Sequence, residues 1–223
     1  MHMKLHRIAE FVPVRVPPAI TGPWKMDHRA VFIDKDGTLV ENVPYNIDPR
    51  HLRFTPHALE ALQTLERAGY ALVVVTNQPG LALGRFTRAQ LVALQQALVS
   101  KLRDEGGIHL TAFQVCPHAP SGPGGWTCLC RKPAPGLLYQ AARRHGLDLA
   151  RSWMIGDILD DVEAGRRAGA RTVLLDVGNE TEWHLTPLRT PHHRCMDLGE
   201  AASFILEQEH AEQEFSHAGM ATL

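Results

Sequence analysis

From Ala30 to Gly178 the chain alternates short apolar runs with segments that carry helix caps, and this alternation restricts its fold more than any other feature. "AVFID", "YALVVVTNQ", "LTAFQVCPH", "SWMIGD" and "RTVLLDVG" read as strands, the second a continuous β-branched run of the kind covered on both faces. Between them, "FTPHALEALQTLERAG" offers Thr55 as N-cap, Pro56 as first helical residue and Gly69 as stop. "FTRAQLVALQQALVSKL" has Thr87 and Gln90 at capping-box spacing, with Leu91, Leu94, Leu98 and Leu102 along one side. "PGLLYQAARRHG" and "LDDVEAGRRAG" read as helices stopped by Gly146 and Gly169. Strands alternating with helices at this spacing predict an α/β domain built on a doubly wound parallel sheet, in which the leucine stripes are core.

Around this unit, residues 1–29 are rich in Pro and His, show no sustained period and read as an N-terminal extension. The domain is expected to span 30–206, ending in a short strand and helix within "RCMDLGEAASFILEQ", with 207–223 as a polar tail. A chain of 223 residues with 44% hydrophobic content suits one domain with a full core. Its formal charge of −1 offers no basic field for nucleic acid or an anionic membrane, so neither is an expected partner. No apolar stretch approaches the roughly 20 residues of a membrane span, and Glu10, Arg15 and several prolines interrupt any signal-peptide core. A cytoplasmic location is therefore expected.

In an open parallel sheet, ligands bind beyond the carboxyl ends of the strands. Asp34 and Asp36 stand at the end of the first predicted strand, Thr76 and Asn77 at the second, and Gly156 and Asp157 at the fourth. Singly, each is a common turn residue. Jointly they bring three carboxylates into one crevice, where mutual repulsion calls for a cation, and an all-oxygen ligand set favours Mg²⁺. Lys132, just before a helix start, would form a phosphate site with the Thr76 hydroxyl. Two aspartates two residues apart could then both face one phosphorus, with Gly37 allowing close backbone approach.

The strings "DKDGT", "VVVTNQ", "CRKP" and "GDILDD", in this order, resemble the four motifs of the haloacid dehalogenase (HAD) superfamily of aspartate-nucleophile phosphatases. The resemblance implies a Rossmann-like core, with Asp34 as nucleophile and Asp36 as the acid that protonates the leaving oxygen and then activates water. It further implies Mg²⁺ held by the side chains of Asp34 and Asp157 and the carbonyl of Asp36, phosphate held by Thr76 and Lys132, and Asp161 as the second acidic residue of the fourth motif.

Between the second and third motifs, "CPHAPSGPGGWTCLC" supplies Cys116, His118, Cys128 and Cys130, a ligand set for one closed tetrahedral Zn²⁺ of structural type. The intervening Gly- and Pro-rich stretch has little core of its own, so metal would order it and steady the adjoining Arg131-Lys132. Cys195 stands alone and reads as a small apolar core residue, and His192 and His193 as polar loop residues.

A zinc loop at this place resembles the heptose-bisphosphate and histidinol-phosphate phosphatase branches, which are essentially capless, and Thr38 to Phe54 is indeed too short for a cap domain. "TNQPGLALGRF" is similar to the heptose branch, which implies sugar contacts from Asn77, Arg131 and the loop "ENVPYNIDPRHLRF". The resemblance departs at Ile158, where many heptose phosphatases carry lysine. The expected ligand is thus a small phosphorylated sugar, in the making of nucleotide-activated heptose for surface polysaccharide, acted on by a monomer. Histidinol phosphate or another sugar phosphate is the alternative within enzymes, and an inactive zinc-stabilised binding module the alternative outside them.

Overall fold

The computed structural model describes residues 28–120 and 128–220. The extension therefore lies outside the described residues up to position 27, and so does the centre of the cysteine loop, 121–127. Six parallel strands form one sheet: β1 (Ala30–Ile33), β2 (Ala71–Asn77), β3 (Ala112–Cys116), β4 (Trp153–Gly156), β5 (Arg171–Leu175) and β6 (His193–Cys195). Their order is β3-β2-β1-β4-β5-β6. The chain moves outward from β1 in one direction, returns, and moves out the other way from β4, so the crevice between β1 and β4 is the switch point where such sheets bind ligands.

Helices α1 (Ala58–Arg67), α2 (Arg88–Gly106) and α5 (Leu198–Met220) cover one face, and α3 (Gly136–His145) and α4 (Leu159–Ala168) the other. The period of two in β1 shows why both faces need cover. Val31 and Ile33 point into the core with Leu62, Leu94 and Leu98, whereas Ala30 and Phe32 point into the core with Leu138, Ala141 and Ala164. All four are fully buried, which accounts for the unbroken apolar run. The Thr87–Gln90 capping box forms as its spacing predicts, and the α2 leucine stripe is buried. Cys195 is a buried core residue.

Three boundaries differ from the expectations. Helix α1 begins at Ala58 after His57, with no side-chain cap, rather than at Pro56 after Thr55. The Thr55 hydroxyl is committed elsewhere: it donates to the Thr38 carbonyl at 2.6 Å and ties the β1–α1 connection back on itself. That connection makes only a small excursion, with Val40 bridged antiparallel to Phe54, and carries no cap domain. At the other end, α5 continues to Met220, so the segment read as a polar tail is helical. Its Ala, Glu and Gln are strong helix formers, and Glu209 and Glu212 anchor it to Arg29 and Arg171. Arg29 also lies over the Tyr70 ring, and His28 bridges to Leu147, so these two residues belong to the folded unit rather than to the extension.

Candidate active site

At the switch point, Asp34 and Asp36 leave β1, Thr76, Asn77 and Gln78 leave β2, and Asp157 leaves β4. Lys132 enters from the stretch before α3, following the cysteine loop and joined to Pro133 by a cis peptide bond. Its ammonium donates to the Val75 carbonyl at 3.0 Å and pairs with Asp34 and, at 2.6 Å, with Asp161. Asp161 thus occupies the interior, while its neighbour Asp160 turns outward to Arg189. Gly156 makes the room, since a Cβ there would lie 2.2 Å from the Asp161 side chain.

Oxygens of Asp34, Asp157 and Asp161 lie within 4.8 Å of one another, and all three residues are buried. Burial pushes the Asp34 carboxyl up to about 7, with Asp161 and Asp36 adding to the effect of burial and Lys132 opposing it. Burial likewise raises Asp157 and Asp161 to about 6 each, with the Asp34 charge adding at Asp157. Burial alone would depress the Lys132 ammonium, but Asp161 and Asp34 outweigh it and hold its pKa above the ordinary lysine value. One cation among three buried carboxylates leaves an excess of negative charge that a hard divalent cation relieves, so this donor set fits Mg²⁺.

Asp36 sits at the rim. Lys35 pairs with one of its oxygens, and Gln78 Nε2 donates to the other at 2.8 Å while also reaching Thr76 Oγ1 at 3.0 Å. Asp36 and Asn77 also line a cleft of about 260 Å³ whose other walls include Asn42, Tyr45, Asn46 and Pro79. The "ENVPYN" stretch therefore borders the cleft. Asn77 exchanges two 3.1 Å hydrogen bonds with the Lys132 backbone, so its amide positions the lysine. The Arg131 guanidinium points to the His118 carbonyl at 3.4 Å, and among the described residues Arg131 is not part of the cleft wall. Arg85 lies over the ring of Tyr45, a residue of that wall.

The second cluster lies behind the lysine. Cys116, from the end of β3, meets Cys130 at 3.3 Å, Cys128 at 3.6 Å and His118 Nδ1 at 3.5 Å. These separations are slightly under the roughly 3.8 Å edge of a tetrahedron with Zn–S bonds of about 2.3 Å, so the set fits Zn²⁺. A hydrogen bond from Cys130 lowers the Cys116 thiol to about 5, and the same contact raises the Cys130 thiol. Arg131 N donates to Cys128 Sγ at 3.3 Å and Gln78 N to the Cys116 carbonyl at 2.7 Å, coupling the cluster to the residues around Lys132 and Asp36.

Reading by motif passed over several participants. Gln78 and Lys35 stood inside quoted strings without a role, and Thr38 donates to Asp157 at 3.0 Å from the end of "DKDGT". Asn179, beyond β5, donates to the same carboxylate at 2.8 Å. The carboxyl-end rule could have flagged it, had it been applied to the fifth strand as to the first, second and fourth.

Residues 129–201 match a family model described as HAD-hydrolase-like. Two bacterial relatives bear the name D-glycero-β-D-manno-heptose-1,7-bisphosphate 7-phosphatase. That of Yersinia pestis is 38% identical over 149 residues, covering 66% of this chain and 79% of its own. That of Pasteurella multocida is 39% identical over 153 residues, covering 67% and 83%. Among solved structures, the D,D-heptose 1,7-bisphosphate phosphatase of B. bronchiseptica, complexed with magnesium and phosphate, superposes with a TM-score of 0.67 at 30% identity, covering 81% of this chain and 99% of its own.

Proposed function

Because the chain belongs to the HAD-like hydrolase family that includes the heptose-1,7-bisphosphate 7-phosphatases, we propose that it is a Mg²⁺-dependent phosphatase removing the 7-phosphate of D-glycero-β-D-manno-heptose 1,7-bisphosphate. The observation that carries the reading is the convergence of Asp34, Asp157, Asp161 and Lys132 at the switch point, with Asp36 between them and an open cleft.

In this reading a carboxylate oxygen of Asp34 attacks phosphorus. The bond from phosphorus to the C7 oxygen breaks, and Asp36 delivers a proton to that oxygen so that the sugar leaves as an alcohol. Asp36, now a carboxylate, takes a proton from water, whose oxygen displaces Asp34 from phosphorus and releases inorganic phosphate. Lys35 and Gln78 hold Asp36 at the cleft rim throughout. Lys132 and the Thr76 hydroxyl clamp phosphoryl oxygens in line with the attack. Mg²⁺, when bound by Asp34, Asp157 and the Asp36 carbonyl, offsets the charge of an anionic nucleophile meeting an anionic phosphate. The substrate choice is supported by the cleft wall, where amides, Tyr45 and the nearby Arg85 suit a hydroxylated, anionic sugar. Among the described residues Asp36 is the only carboxylate of that wall, whereas a cationic substrate such as histidinol phosphate would want more.

Phosphate release from an aryl phosphate, with and without Mg²⁺, separates an enzyme from a binding module. Mg²⁺-dependent turnover is expected, and none under any metal condition would overturn the reading.

The carboxylates give a pH signature. All three have folded pKa values above the ordinary 3.8. Without Mg²⁺ the folded protein therefore binds protons more tightly than the unfolded chain between about pH 4 and 7, and these groups lower stability as pH rises across that window. Near neutral pH, Mg²⁺ at a hundred times its Kd should restore about 2.7 kcal/mol, seen as a higher Tm in scanning calorimetry. An unchanged Tm contradicts the assignment.

The structural metal is Zn²⁺ held by Cys116, His118, Cys128 and Cys130, whose four ligands leave no open position. Cys128→Ser should lower bound zinc, measured by elemental analysis, and loosen the chain leading to Lys132. Because misplacing a reacting group costs roughly 10²-fold per ångström, turnover should fall with the zinc. Full zinc content in that variant would count against the site.

A further inference from the structure

We infer that Asn179, in the loop after β5, is a positioning residue that sets the Asp157 carboxylate for divalent metal; the inference rests on the Mg²⁺ reading above. The three carboxylates are not oriented alike. Lys132 holds Asp34 and Asp161 by ion pairs, whereas Asp157 is held by two neutral donors, Thr38 Oγ1 on Oδ1 at 3.0 Å and Asn179 Nδ2 on Oδ2 at 2.8 Å. One donor on each oxygen fixes the carboxylate plane, which a single hydrogen bond would leave free to rotate. Neutral donors also leave the full negative charge available, and each oxygen keeps a lone pair for a cation.

The backbone is built around this contact. Gly37 has φ +88°, and a Cβ there would lie 2.2 Å from Asp157 Oδ2 and 2.6 Å from Asn179 Nδ2, so the first motif closes directly over the hydrogen bond. The next residue of the loop, Glu180, accepts from Leu159 N at 2.7 Å, at the first turn of α4. Asn179 and Glu180 thus grip the chain on both sides of Ile158, whose apolar side chain supplies no donor of its own. The second donor that orients Asp157, beside Thr38, is delivered from the loop after β5 instead.

The test is Mg²⁺ binding by isothermal titration calorimetry on the full-length protein, with phosphate release measured in parallel. Since a hydrogen bond to a charged group is being removed, Asn179→Ala should weaken Mg²⁺ roughly tenfold. Turnover lost at low Mg²⁺ should return to within about threefold of the parent kcat at saturating Mg²⁺, a recovery that general damage to the fold would not give. Asn179→Leu, which keeps the volume without the donor, should behave the same and serves if the alanine variant does not fold. Equal Mg²⁺ affinity in parent and variant overturns the inference alone, as does a kcat that no Mg²⁺ concentration restores. A parent that binds no Mg²⁺ overturns the metal reading and the inference with it, and this is visible before any variant is made.

Discussion

Asp34→Asn should reduce phosphate release by on the order of 10⁴-fold or more while leaving a folded protein. The amide cannot form the acyl-phosphate bond, and Asp36 sits at the rim, bound to Lys35 and Gln78, where it cannot take over the attack. The fold should survive because the substitution removes a charge whose burial is unfavourable, which is why its carboxyl lies at about 7. Lys132 also keeps a partner in Asp161. Tm in metal-free buffer near neutral pH should therefore be close to the parent value. Residual turnover within tenfold of the parent, in a protein of unchanged Tm, would remove Asp34 from the role of nucleophile.

Lys132→Met should act on both activity and stability. The variant keeps the buried stem and deletes the cation that, among the described residues, pairs with Asp34 and Asp161, leaving two buried carboxylates facing each other. Breaking a buried pair from one side costs about 3–5 kcal/mol. Losing the donor proposed to clamp the phosphoryl group should cost a further 10²–10³-fold in kcat, on the order of other transition-state clamps. The stability loss has a direction in pH. Because Asp34 and Asp161 titrate at about 7 and 6, acid converts them to neutral carboxyls that need no cation, so the Tm gap between variant and parent should narrow from pH 8 to pH 5. Lysine itself does not reverse this trend, since its folded pKa is raised and its charge persists throughout that range. A gap that stays constant or widens in acid would contradict pairing with Asp34 and Asp161 as the source of Lys132's contribution to stability.

Much of this arrangement is legible in the sequence, because it depends on period and position. Unbroken β-branched runs require cover on both faces, and the carboxyl-end rule turned the order of Asp34, Thr76 and Asp157 into a place in space. The cluster of Cys116, His118, Cys128 and Cys130 was legible because its spacing is local. What remained hidden is side-chain commitment. Thr55 had every mark of an N-cap, yet its hydroxyl is used on Thr38, and α1 starts later. The final residues looked like a tail by polarity, although their helix propensity and the Arg29 and Arg171 anchors carry α5 through them. Asn179 lies 22 residues from the aspartate it orients, in a loop with no motif, so only the packing of β5 beside β4 reveals the pair.

The most direct measurement is the rate of phosphate release from both anomers of D-glycero-D-manno-heptose 1,7-bisphosphate, with ³¹P spectra to identify which phosphate leaves, beside fructose 1,6-bisphosphate and histidinol phosphate. The account predicts that the β anomer has the highest kcat/KM, that the 7-phosphate is lost and the 1-phosphate retained, and that turnover requires Mg²⁺. Preference for histidinol phosphate, or release of the 1-phosphate, would contradict it.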